Sequence, residues 1–102
     1  MAASKHDLDD LMAAVSQGKL DAVAQMLGRG VPATGMDESG RTPLLWAIFG
    51  GYVDIVRLLL QHGADPNTAT PEGVTPLWCA TDFGFTEIAE LLRAHGAAEP
   101  DQ

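Results

Sequence analysis

The sequence is short of several things, and each shortage removes a class of function. It has a single cysteine, Cys79, so no internal disulfide can form. It has six lysines and arginines against fourteen acids, a net charge of −8. Such a surface repels phosphate backbones, which argues against nucleic-acid binding and in favour of solubility or a basic partner. No apolar run approaches the ~20 residues of a membrane-crossing helix. The opening stretch MAASKHDLDDL carries no apolar segment of the kind found in signal peptides. No membrane partner is expected, and a reducing, cytoplasmic setting is.

What is present is enough to fold. Hydrophobic residues make up 46% of the 102 positions, which argues against a disordered chain. That length suits one domain, expected to span residues 1–102. Its core is modest, because a globule of this size buries only about 60–70% of its unfolded surface.

Shifted by 33 residues, the sequence matches itself. Gly40, Thr42, Pro43 and Leu44 meet Gly73, Thr75, Pro76 and Leu77. Ala47, Gly51, Ile55, Leu58 and Leu59 meet Ala80, Gly84, Ile88, Leu91 and Leu92. His62, Gly63 and Ala64 meet His95, Gly96 and Ala97. The same shift backwards sets Leu11, Ala14, Gly18, Asp21, Leu27 and Gly30 beneath the middle copy. Three copies result, with bounds near 5–36, 37–69 and 70–102, the first degenerate before Leu11.

Each copy reads as two short helices. Thr42 and Thr75 suit an N-cap, where a hydroxyl accepts from a free amide of the first turn. Pro43 and Pro76 follow at the first helical position, where a missing N–H costs nothing. Gly51 and Gly84 punctuate the link to a second helix, whose apolar face in the middle copy is Ile55, Val56, Leu58 and Leu59. Gly63 and Gly96 fall where a left-handed helix ending is wanted. "ADPNTATPEG" separates the second and third copies with turn formers.

These motifs resemble the ankyrin repeat, with its Gly-x-Thr-Pro-Leu start, central Ala and Gly, and Leu-rich helix closing on Gly-Ala-Asp. "GRTPLLWAIFGGYVDIVRLLLQHGADPN" follows that pattern almost throughout, and the resemblance covers about residues 7 to 98. It implies an all-α solenoid, three stacked helix–turn–helix units with β-turn fingers projecting from them. One departure is plain: Leu45 and Trp78 stand where the family carries a histidine that ties turn to helix. Added contact between neighbouring repeats offers a replacement for that lost network. Trp46 is expected in the core.

End repeats expose one side to water. In the second helices, Leu58-Leu59-Leu60 becomes Gln25-Met26-Leu27 in the first copy and Leu91-Leu92-Arg93 in the third. If the first and last of these positions face the preceding and following repeats, both outer copies act as caps. Thr81 in place of Ile48, and the tail AAEPDQ, agree. A free-standing three-repeat protein is the expectation, about the minimum that is stable.

Reactive groups are sparse. His62 and His95 share one repeat position at a helix end, where they stabilise the helix terminus. Cys79 takes the place of Trp46, which predicts a buried thiol. Asp7, Asp9 and Asp10 crowd the start of the first helix, where negative charge is favoured, and Ser4-x-x-Asp7 can help begin it. No calcium loop or phosphate loop is present. No catalytic residue, metal or cofactor is expected, and the chain reads as a non-enzyme.

The family resemblance implies that a partner meets the finger tips and the exposed side of the first helices. Mapped onto this chain, the fingers offer Glu38, Ser39, Arg41, Glu72 and Val74; the helices offer Phe49, Trp78, Asp82 and Phe83. The expected surface is an apolar centre with a mostly acidic edge. The functional expectation is a protein–protein interaction module for a basic protein partner, an inhibitor or immunity-type protein being one sub-case. A monomer is expected. The alternative is a self-associating scaffold subunit built on a Phe49–Phe83 patch.

Overall fold

The computed structural model describes residues 5–98. Among them are six helices and no strand: α1 Lys5–Ser16, α2 Leu20–Gly28, α3 Pro43–Gly50, α4 Val53–Gln61, α5 Pro76–Asp82 and α6 Thr86–Ala94. Helices α1, α3 and α5 pack side by side, and α2, α4 and α6 form a second layer behind them. The result is an all-α repeat solenoid, 42 Å long and 25 by 21 Å across. Ser4 and the last four residues of AAEPDQ lie outside the described residues.

The Thr-Pro pairs start the first helices as the sequence requires. Thr42 Oγ1 accepts from Leu45 N–H, and Thr75 Oγ1 accepts from Trp78 N–H, both at 3.2 Å. Each threonine is extended, and each proline occupies the first turn. Leu45 and Trp78 are therefore the residues whose free amides the caps satisfy.

The second helices begin differently. Lys19, Tyr52 and Phe85 stand at their N-caps and make no side-chain cap bond. A tight backbone turn does the work: Tyr52 N–H donates to Ala47 O at 3.0 Å and Phe85 N–H to Ala80 O at 2.8 Å. The two aromatic side chains are thereby released to reach the neighbouring repeat. Tyr52 lies over Gly18, and Phe85 lies over Gly51. Both glycines have φ of +71°, and a Cβ on them would meet the ring carbons at 2.7 Å and 3.2 Å respectively. Glycine is needed at these joints for its left-handed backbone and for the room it leaves.

The core runs unbroken through all three repeats. Leu11, Leu44 and Leu77 are buried at equivalent positions, as are Val23, Val56 and Ala89. Trp46 departs from the sequence expectation. It is half-buried, packed against the core, with its indole Nε1 donating to Asp37 Oδ2 at 2.8 Å. A side chain that needs a polar partner for its N–H settles at the core's margin.

Burial also shows which positions face the following repeat. Leu45, Ile48 and Leu60 are buried in the middle copy, and Val15 and Leu27 in the first. Their equivalents in the third copy, Trp78, Thr81 and Arg93, are exposed. Leu58 is half-buried against the core while Gln25 is exposed. Asn67 fastens the third copy to the second: its Nδ2–H donates to Gly96 O at 3.1 Å, and its Oδ1 accepts from Ala98 N–H at 2.8 Å.

Candidate interaction surface

Each finger is closed by its own polar residue. In the first, Asp37 Oδ1 accepts from Ser39 N–H, Ser39 Oγ–H and Arg41 N–H at 2.9, 2.6 and 3.0 Å. Asp37 N–H donates to Arg41 O at 2.9 Å. With Trp46 on Oδ2, one carboxylate organises the finger and clamps it to α3. Burial alone pushes Asp37 up; the hydrogen bonds from Ser39, Arg41 and Trp46 outweigh it and bring its pKa down from 3.8 to about 2. In the second finger Thr70 replaces Asp37, with Oγ1 accepting from Val74 N–H at 3.1 Å. Cys79 replaces Trp46, so the donor on the helix and the carboxylate in the finger disappear together.

From the first finger a line of rings runs across α3 to α5. The Arg41 guanidinium carbon lies 5.9 Å from the Trp46 ring centroid and 5.8 Å from that of Phe49. Trp46 meets Phe49 edge to face at 5.8 Å. Phe49 and Phe83 are 6.0 Å apart, and Phe83 and Phe85 5.7 Å. These separations lie within the range of favourable ring pairs. Phe83 is 46% exposed, whereas Phe49 is half-buried and leans on the core.

Of the nine residues named from the sequence, side-chain contacts link three. Arg41, Phe49 and Phe83 form the stripe, and Asp82 stands exposed beside Phe83. Glu38 and Ser39 are exposed at the first finger tip and Glu72 at the second. Val74 is half-buried against the core, so little of it is offered to a partner. Trp78 is 48% exposed but makes none of the ring contacts. It lies with Thr81 and Arg93 on the side that, in the other copies, meets the next repeat. Its partner at the equivalent position, Leu45, is wholly buried.

Sequence reasoning missed Trp46 as a stripe residue, because its bond to Asp37 joins different elements. The signal was there: Asp37 and Trp46 are both changed in the third copy.

The reactive groups do not converge. Cys79 is buried, and burial first, then the charge of Asp82, pushes its thiol up against a smaller opposing effect of Arg41. His62 and His95 cap the C-termini of α4 and α6, with His95 Nδ1 3.0 Å from Leu91 O. Among the described residues no three His, Cys, Asp or Glu side chains gather as metal ligands. Among them, too, no helix is long and apolar enough to cross a membrane.

No curated protein matches the sequence. The family description for ankyrin repeats in three copies matches residues 11–102. A solved ankyrin repeat domain from Acinetobacter baumannii AYE is 39% identical, with a TM-score of 0.84. The match covers 86% of this chain and 47% of that one, so the chain spans about half the length of the structure it resembles. Ankyrin repeats generally mediate protein–protein interaction, and the family is typically non-enzymatic. With its 33-residue period, capped helix pairs and stacked layers, the chain belongs to the ankyrin-repeat family.

Proposed function

We propose that this chain is a non-enzymatic binding module for a protein partner, gripped by the finger tips and the Arg41–Phe49–Phe83 stripe. The observation that carries the reading is Phe83, a large ring 46% exposed at the end of a line of packed aromatics. Exposed aromatics backed by rigid neighbours are the residues that dominate interfaces. Glu38 and Glu72 stand exposed on the fingers and Asp82 beside Phe83 on α5, and the whole chain carries a charge of −8. A partner with a basic rim fits that edge and is drawn to it at long range. Neutralising a basic enzyme or toxin is one use that suits a small acidic binder. A reducing, cytoplasmic setting suits its one thiol.

The test is capture by immobilised wild-type protein and by Phe83→Ala, with melting of both. A captured protein lost on Phe83→Ala at unchanged melting supports the reading; equal capture by both overturns it. Light scattering over a concentration series separates this from self-association through Phe49 and Phe83. A concentration-independent monomer is expected.

A further inference from the structure

Arg41 stands apart from the other charges of this surface. Its guanidinium carbon lies over the Trp46 and Phe49 rings, 5.9 and 5.8 Å from their centroids, and no carboxylate among the described residues pairs with it. Its side chain makes no hydrogen bond or ion pair with any described residue, and its Nε is buried without an acceptor. This occurs in a chain with fourteen acids and six basic residues. Arg57, by contrast, sits 3.1 Å from Asp54 and 3.6 Å from Glu87.

Neither Asp37 nor Asp82 serves it. Asp37 is committed to Ser39, Trp46 and the Arg41 backbone. Asp82 is exposed at the end of α5 and forms no ion pair with Arg41. Contact with two rings offers a guanidinium no hydrogen-bond acceptor, and the fork of N–H donors that remains is the geometry that carboxylates match with two bonds. A half-buried cation at the head of an apolar stripe, with no pair among the described residues, is a seat suited to an anion.

We propose that Arg41 receives a carboxylate side chain of the partner, an Asp or Glu at the centre of the contact. The residue beside it is apolar and lies on Phe83, and basic residues flank the pair towards Glu38, Glu72 and Asp82. The partner's charge pattern is thus the inverse of this surface: one acid inside, bases outside. A phosphate group fits less well, because its two charges would meet one cation within an acidic rim. The inference rests on the reading of the stripe as the binding site.

The probe is a phage-displayed library of random dodecapeptides panned on the whole chain. Enriched peptides are then synthesised and their affinities measured by fluorescence polarisation. Enriched sequences are expected to carry one Asp or Glu between an apolar residue and a Lys or Arg. Replacing that acid by its amide, or Arg41→Met in the protein, is expected to weaken binding about tenfold or more, and the two changes together no further. Arg41→Lys restores part of the loss. The peptide-side change reads the contact without touching the protein's fold. Peptides that lack an acid, or that bind Arg41→Met as well as wild type, overturn the proposal. If those peptides still depend on Phe83, the stripe stands and only the anchor is wrong. If they ignore Phe83 as well, or if nothing enriches, the site reading fails with it.

Discussion

Trp46 Nε1 and Asp37 Oδ2 are 2.8 Å apart, and that bond ties the first finger to α3. The carboxylate's pKa is lowered in the folded protein to about 2, against 3.8 for the ordinary group. A lowered folded value means the charged form stabilises the fold above the unfolded pKa, and that the contribution is lost as pH falls through the folded one. Wild type is therefore expected to lose stability between about pH 4 and about pH 2. Asp37→Asn is expected to be less stable at neutral pH and to lose less over that interval. Thermal melts of both proteins across the range check it.

Leu45 and Trp78 occupy the same repeat position, one covered and one open. Leu45→Ala is expected to cost about 2–5 kcal/mol, as a fully buried truncation. Trp78→Ala is expected to cost less than about 1 kcal/mol, as a half-exposed one. Urea unfolding of the two variants measures the contrast. Equal losses would mean that Trp78 is covered in solution.

Gly51 and Gly84 differ in what lies above them. Both have left-handed backbones, with φ of +71° and +77°, but only Gly51 carries a ring, that of Phe85. Gly84→Ala is expected to cost about 1 kcal/mol from backbone strain alone. Gly51→Ala is expected to cost more, because its Cβ meets Phe85 Cζ at 3.2 Å. The difference between the two melting shifts measures the ring's contact.

The two phenylalanines of the stripe are not equivalent. Phe83→Ala is expected to leave stability within about 1 kcal/mol of wild type, since nearly half of the residue is already in water. Phe49→Ala is expected to cost about 2 kcal/mol, because the ring leans on the core. Near-ultraviolet circular dichroism and melting of each single variant separate them. A double variant would mix loss of fold with loss of contact.

Cys79 is expected to be alkylated slowly in the native protein and rapidly in denaturant. The thiol is buried, and its pKa is raised, so little reactive thiolate is present at neutral pH. Labelling followed by mass spectrometry reads the ratio. Fast native labelling would show that α5 opens locally.

Local rules wrote most of the fold into the sequence. Threonine caps, prolines at the first helical turn and glycines at helix ends each act within a few residues, and each stands where the 33-residue shift set it. The faces of the second helices were legible for the same reason: Leu60 is buried and Arg93 exposed. The site was less legible. Arg41 meets Phe49 across a finger and a helix, and Tyr52 meets Gly18 across two repeats. Such pairs are set by how repeats lie on one another, which no local periodicity encodes. Trp78 shows the limit well. Its residue type marks it as sticky, but only the stacking shows that it belongs to the far side of the third copy.

The ring-on-glycine joints have a consequence for how such a chain can change in length. The middle unit bears both halves of the fitting, Tyr52 as the plug towards the first copy and Gly51 as the socket for Phe85. Nothing in the joint depends on which particular neighbour supplies the other half. A duplicate of residues 37–69 spliced after position 69 would place a second Tyr52 over the first Gly51 and hand its own glycine on to Phe85. Growth or shrinkage by whole units leaves every fitting matched, whereas an insertion of any other length between plug and socket would unseat them.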